Sequence, residues 1–338
     1  MNPLLKELAL DIYGVRLSIR GPGALIEETA RDFDFFAATE SGTGIGITVC
    51  ACPPESPQGA RFSFGCGNWR VYRRPDGRRL VTYPQGASCF CDYSAGRFEL
   101  KTLNSDLARE LSYLLILSRA GEALDLLGLH RLHAGAVALG GIPLLFCGRQ
   151  GAGKTTLLLE LLKQPGFSLI SDDTPLIGRD GTVYPFPLRL GIGAENPHFA
   201  SGLGLRPFRR RHYPEKFLLE KWLPAPGRVK PARGGYLFKL EKAAGPGFRE
   251  LGKTAAWAEL AKSLALGWGV PQMGEYFIRF SPEQFFIKSG ILLSRLKAAR
   301  ALINSSQLWK FGTGPDPAAN AAALRYLLDR RSVSAAPF

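Results

Sequence analysis

The chain lacks any apolar run built to cross a membrane. Its longest apolar stretch, residues 132–148, is interrupted by His133, Pro143 and several glycines, and makes a poor membrane helix. The first ten residues carry Lys6 and Glu7 and no apolar core of the kind a secretory signal needs. A soluble, cytoplasmic protein without a membrane partner is expected. There is no internal repeat and no low-complexity tract, which argues against repeat arrays and flexible linkers. Cysteine is sparse, and its spacing is never the C-x₂-C of a zinc knuckle. Cys50/Cys52 and Cys89/Cys91 lie in apparent strands, so each pair projects to one face. Either a metal bridges paired strands there, or these are buried thiols in a reducing compartment; the second is favoured. Carboxylates are also scarce: 29 against 43 Lys and Arg, a net charge of +14. That balance suits anionic ligands such as nucleotides and permits an acidic partner. Much of it is scattered arginine, as on a solvated surface. Aromatic interleaving is too thin for a nucleic-acid face, so nucleic acid is disfavoured. With 338 residues, 46% of them apolar, the chain has room for two folded domains.

What is present is concentrated in residues 141–174. An apolar run, Ile142 to Cys147, predicts a buried strand. It meets Gly148-Arg149-Gln150-Gly151-Ala152-Gly153 and then Lys154, Thr155 and Thr156, which matches G-x-x-x-x-G-K-[ST]. Glycines let successive backbone N–H groups turn inward as an anion nest, and the following helix N-terminus favours phosphate. Lys154 supplies a mobile positive charge, and the Thr155 hydroxyl is placed to ligate Mg²⁺. The alternative is a glycine-rich turn with a chance Lys-Thr. A leucine-rich helix follows and stops at Pro165-Gly166. A second strand, Phe167 to Ser171, then delivers Asp172 and Asp173. The interval fits one right-handed βαβ crossover, which brings both acids to the edge that holds Thr155. One carboxylate can hold the metal or its water while the other takes a proton from a hydroxyl. A solvated acidic turn is the alternative.

The rest of the chain frames that block. Residues 1–104 read as a β-rich domain of short strands in an antiparallel meander, with a hairpin turn at Pro75-Asp76-Gly77. Arg73, Arg74, Arg78 and Arg79 flank the turn, either as a basic rim for a substrate or as a solvated tip. Residues 105–128 predict a connecting helix capped by Ser105 and ended by Gly128. Leu129 to Leu139 predicts a strand that pairs with the one feeding the glycine-rich loop. His133 sits where that strand begins and is either structural or close to a γ-phosphate; His130 is a weaker candidate. Residues 129–331 form the remaining domain, and 332–338 a tail expected to be disordered. Tyr184 to Gly193 and Gly235 to Leu240 predict further strands, from which Arg189 and Lys239 could reach the site. The basic loop Leu205 to Lys216 either grips an acidic peptide, acts as a lid, or is simply solvated. Thr254 to Leu266, Pro282 to Leu302 and Pro317 to Asp329 predict helices outside the sheet.

The block His133-Ala-Gly-Ala-Val, a Gly-Gly turn, GRQGAGKT, a leucine-rich helix and Ser171-Asp172-Asp173 resembles the HPr kinase/phosphorylase family. That resemblance covers about residues 130–195. It implies an α+β chain whose P-loop kinase domain has a mixed sheet like that of the phosphoenolpyruvate carboxykinases, preceded by the smaller β-rich domain. It also implies ATP- and Mg²⁺-dependent phosphorylation of a serine hydroxyl on a protein or peptide. By position, Gly148, Gly151, Ala152, Gly153, Lys154, Thr155 and Thr156 would bind nucleotide. Thr155 and Asp173 would hold the metal, Asp172 would be the general base, and His133 would lie near the γ-phosphate. Thr155-Thr156 and Thr174 depart from the family's usual residues, and its Glu-x-Arg-Gly signature is missing, with Pro185 to Ile192 in the expected region. HPr itself and the reverse phosphorylase reaction are therefore not expected; a diverged serine kinase is. The competing expectation is a nucleotide-binding regulator or scaffold without transfer activity. A transport ATPase is disfavoured, because no LSGGQ-like segment is present and the acids follow too soon. The acceptor is not named by the sequence, and a homo-oligomer is compatible with it.

Overall fold

The computed structural model describes residues 5–40, 42, 44–149, 151–199, 204–210, 215–219, 223, 229–265 and 282–334. The chain mixes helices and strands and divides into two compact units. One unit comprises Met1–Leu124, Leu205–Leu218 and Gln272–Phe280; the other comprises Asp125–Gly204, Leu219–Pro271 and Ser281–Phe338.

In the first unit, β1 (Leu5–Ile12) and β2 (Val15–Pro22) form a hairpin across Tyr13-Gly14, both at positive φ, the geometry that matches strand twist. Helix α1 (Gly23–Asp32) follows, then β3 (Ala37–Ala38), β4 (Ile45–Cys50), β5 (Arg61–Cys66), β6 (Trp69–Arg73), β7 (Arg79–Tyr83), β8 (Ala87–Asp92) and β9 (Arg97–Thr102). They make one nine-stranded sheet in the order β3-β1-β2-β4-β9-β8-β7-β6-β5. The expected meander holds from β5 to β9. It fails at β4, which runs parallel to both β2 and β9. A parallel neighbour needs a crossover. Helix α1 supplies it.

Helix α2 (Ser105–Leu127) buries Leu107, Leu111, Leu115 and Leu117. Its cap is Asn104 and not Ser105: the Leu107 N–H donates to Asn104 Oδ1 at 3.0 Å. Gly128 follows the helix at φ 82°, and the chain passes between units within α2, at Leu124/Asp125.

In the second unit the elements are β10 (Leu129–Arg131), β11 (Gly135–Leu139), β12 (Ile142–Cys147), α3 (Lys154–Leu162), β13 (Phe167–Ser171), β14 (Leu176–Gly178), β15 (Val183–Tyr184) and β16 (Leu190–Ile192). Two short strands come next along the chain, β17 (Leu205–Phe208), which belongs to the first unit, and β18 (Lys216–Leu219), of which only Leu219 belongs to the second. After them come β19 (Tyr236–Lys242), β20 (Gly247–Glu250), α4 (Lys253–Leu260), α5 (Pro282–Ser305), β21 (Gln307–Thr313) and α6 (Pro317–Ser334). The main sheet has the order β13-β11-β12-β19-β21-β20. β12, β19 and β21 are parallel, while β11 runs antiparallel between β12 and β13, so the sheet is mixed. β12 is central, which accounts for its unbroken apolar run. Leu145, Cys147, Ala136 and Leu237 pack in one buried cluster with Leu260 of α4 and Ala298 and Leu302 of α5.

The expected strand Leu129 to Leu139 is two strands. β10 pairs with β14, whereas β11 pairs with β12 and β13, and Leu132–Ala134 link the two sheets. Tyr184 to Gly193 likewise holds two short strands around a segment without regular structure. A five-residue π-helix, Ala261–Ala265, continues α4. Residues 332–334 belong to α6; residues 335–338, like Leu266, lie outside the described residues.

Candidate functional site

The glycine-rich turn leaves β12 at its carboxyl end and enters α3 at Lys154. Gly153 is the residue before the helix and sits at φ 86°; Gly151 sits at φ 77°. Both values lie in the left-handed region that other residues adopt only under strain. No side chain caps α3. Its first N–H groups are therefore donors without a helical partner, aimed where an anion can take them. Gln150 of the motif lies outside the described residues.

Lys154 is buried, at 8% exposure. Its ammonium donates to the carbonyls of Gly148 at 2.9 Å and Arg149 at 3.3 Å, folding back onto the loop. Burial pushes its pKa down, and the carboxylates of Asp173 and Asp172 only partly offset this. A buried cation held by two neutral carbonyls is poorly compensated, which favours an incoming anion. Cys147, directly before the loop, is fully buried, and burial pushes its thiol up to about 12. It is a packing residue and not a nucleophile.

Both acids reach the same edge. Thr155 Oγ1 donates to Asp172 Oδ1 at 2.9 Å, which closes the crossover between helix and strand. His133 lies in the link before β11, tied through its N–H to the Ser263 carbonyl at 3.2 Å. Its Nδ1 is 3.1 Å from Asp173 Oδ1, and its Nε2 is 3.4 Å from Lys154 Nζ. If Nε2 accepts from Lys154, Nδ1 carries the proton and faces Asp173. Asp173, His133 and Lys154 thus form a chain, with Asp173 at the exposed end, its side chain 62% accessible. The family resemblance implies metal at Asp173 and the acceptor proton at Asp172; here Asp172 is the carboxylate hydrogen-bonded to Thr155.

Gly135 allows this convergence. A Cβ there would lie 3.0 Å from Leu158 Cδ1 of α3 and 3.3 Å from the Asp172 carbonyl. Thr156 Oγ1 accepts from Asn196 Nδ2 at 3.1 Å, a latch with no local trace in the sequence because the pair is 40 residues apart.

His130 and Lys239 do not join the site. His130 is fully buried between Asp125 and Ser294, at 2.7 and 2.8 Å. The order Ser294, His130, Asp125 has the connectivity of a nucleophilic triad. Yet Arg179 Nε donates to Ser294 Oγ at 2.8 Å, Arg295 holds Asp125, and all three members are buried. It is a structural network. Lys239 lies 3.5 Å from Glu241, which also pairs with Lys310 at 2.5 Å. Arg189 is in the irregular segment between β15 and β16. Arg206 of the basic loop is paired with Glu28 and lies 3.5 Å from Asp32, so it braces α1 of the first unit and does not grip a ligand. All six cysteines are free thiols, and among the described residues no three His, Cys, Asp or Glu side chains group as a metal site. No helix among the described residues is long and apolar enough to cross a membrane.

Compared with models of known protein families and with curated protein sequences, the chain matches none.

Proposed function

We propose that the protein is an ATP- and Mg²⁺-dependent kinase that transfers the γ-phosphoryl group to a serine hydroxyl of a protein or peptide, on a core like that of the HPr kinases and phosphoenolpyruvate carboxykinases. The observation that carries this reading is the meeting of Thr155, Asp172, Asp173, His133 and Lys154 at the mouth of one uncapped helix. The donors fit the metal: Mg²⁺ takes hard oxygens, typically one or two carboxylates beside phosphate and water. Thr155 Oγ1 and Asp172 would hold it. When bound, the ion neutralises charge on the phosphates. The N–H groups of the loop and the first turn of α3 bind and orient the phosphate chain. Lys154 exchanges its carbonyl partners for phosphate oxygens and so gains the anion its burial calls for.

Asp173 is the exposed carboxylate and is placed to take the hydroxyl proton of the acceptor. His133, with Nδ1 toward Asp173, orients that carboxylate. The two acids therefore exchange the roles expected from sequence. The test is transfer from radiolabelled ATP to lysate proteins or peptides, followed by the two variants. Asp172→Asn is expected to raise the Mg²⁺ concentration needed for half-maximal rate. Asp173→Asn is expected to cut turnover about 10²-fold or more with the Mg²⁺ requirement unchanged. Nucleotide binding without any transfer would favour the regulator reading instead, and full activity of both variants would remove the site.

A further inference from the structure

The arginines around the β6–β7 hairpin divide into two sets that the fold places on opposite faces. Arg74 pairs with Glu55 and Arg78 pairs with Asp76, and both guanidinium groups lie over the Phe90 ring, at 5.1 and 4.8 Å from its centroid. These two are satisfied. The other set is not. Arg61 of β5 is directly opposite Arg73 of β6, which is directly opposite Arg79 of β7. Residues opposite each other in antiparallel strands share a face, with Cβ atoms about 5 Å apart, and like charges so placed destabilise the sheet. Among the described residues no carboxylate pairs with Arg61, Arg73 or Arg79. Burial lowers the Arg79 pKa, and the Arg73 charge adds to that.

The row ends at an open edge. β5 is the terminal strand of the nine-stranded sheet, and Arg61, Phe62, Ser63, Gly65 and Cys66 are exposed. Phe62 is 56% exposed and meets Tyr72 edge-on on the face opposite the arginines, with ring centroids 5.7 Å apart. An exposed edge strand offers backbone donors and acceptors to any extended chain. At the Arg61–Phe62 end of that edge one side is cationic and the other aromatic; past the bulge at Ser63 the sides are mixed, with Phe64 and Trp69 on the arginine side and Arg70 on the Phe62 side.

We propose that β5 is a docking edge for an extended acidic peptide segment, which adds as a further strand. Its acidic residues would lie beside Arg61 and Arg73, and the alternate, apolar residues beside Phe62. Up to the bulge at Ser63, the period of two that sorts Arg61 from Phe62 sorts the ligand in the same way. A second copy of this chain is disfavoured as occupant, because two Arg61–Arg73 rows would then meet. A nucleic acid is disfavoured because it cannot use the backbone edge, and Phe62 presents to Tyr72 an edge contact and not a stacking platform. The inference does not depend on the kinase reading, since it concerns the first unit alone.

The experiment uses the full chain and a fluorescein-labelled peptide of alternating aspartate and valine, about eight residues long, in an anisotropy titration. Saturable binding is expected. Arg73→Glu should weaken it by about tenfold or more. The same substitution should raise the melting temperature, because it sets a carboxylate between Arg61 and Arg79. Strand addition is read by methylating the peptide nitrogens of either the aspartates or the valines. One set should abolish binding and the other should leave it, since alternate N–H groups of an added strand face the sheet. Should Arg73→Glu fail to fold, Arg61→Gln at the exposed edge repeats the measurement. The proposal is overturned by no binding at millimolar peptide, or by affinity that the arginine variant leaves unchanged. Equal effects of both methylation sets also overturn it, as does tighter binding of a single-stranded oligonucleotide. Self-association that Arg73→Glu alters does the same.

Discussion

Replacing Asp125 by asparagine isolates the buried ion network of the second unit. Asp125 is 1% exposed. Its carboxylate accepts from His130 Nδ1 at 2.7 Å and from Arg295 at 3.0 Å (Nε) and 2.5 Å (Nη2). Burial opposes its charge, but the His130 hydrogen bond and the Arg295 guanidinium outweigh burial and hold the carboxyl at about 2, below its ordinary 3.8. At about 1.4 kcal/mol per pH unit, that gap contributes about 2 kcal/mol. The folded chain binds this proton less tightly than the unfolded chain does. The contribution is therefore fully present above the unfolded value, about 4, and is lost as pH falls toward about 2. Asparagine removes the charge and leaves Arg295 buried at 5% side-chain exposure without its anion. Breaking such a pair from one side costs about 3–5 kcal/mol. For a unit of this size that lowers the melting temperature by roughly 6–20 °C. Differential scanning calorimetry at neutral pH measures it, and a series toward pH 2 should show the wild-type advantage shrinking over that window. The double variant Asp125→Leu, Arg295→Met, which removes both charges, should regain much of the loss. A loss under about 3 °C, or a difference that persists unchanged in acid, would refute the assignment of the network as an uncompensated-charge problem.

Three further outcomes follow from the geometry. Asn104→Ala removes the side-chain acceptor for the Leu107 N–H and should cost about 1 kcal/mol in urea denaturation, with Asn104→Asp close to wild type. Gly153→Ala places a Cβ at φ 86° and should cost about 1–2 kcal/mol, as should Gly77→Ala at φ 82°. Only Gly153→Ala should also weaken nucleotide binding, by calorimetric titration. Asn196→Ala frees Thr156 of its partner and should speed amide exchange in the 193–199 segment, leaving the main sheet unchanged.

Periodicity and turn chemistry made most of the framework readable. The run Ile142–Cys147 could be nothing shorter than a central strand, and the leucines of α2 and α3 declared their helices. The failures have one cause: they depend on which partner a segment finds. Leu129 to Leu139 is a uniform apolar stretch, yet β10 and β11 join different sheets, and the break between them is what frees His133 to stand beside Lys154. Helix α1 has no side-chain cap at Pro22 and no acidic residue in its first turn, so it lacks the usual start signals. The Asp125 and Arg295 pair, 170 residues apart, leaves no local trace.

The roles of the two acids show the same limit at the scale of a single residue. Asp172 and Asp173 are adjacent and chemically identical, so sequence can place both at the strand end but cannot orient either. Orientation comes from the partners: Thr155, one helical position past Lys154, captures Asp172, and His133, held by the Ser263 carbonyl, lies against Asp173. Under the proposed reading, the residue that separates the two carboxylates is His133. Glutamine in its place keeps a hydrogen-bond donor but moves it off the position of Nδ1. Under that reading, His133→Gln should lower turnover about tenfold or more while nucleotide affinity and the Mg²⁺ requirement stay near wild type. Unchanged turnover would show that Asp173 works without His133, and would return the choice between the two carboxylates to Asp172.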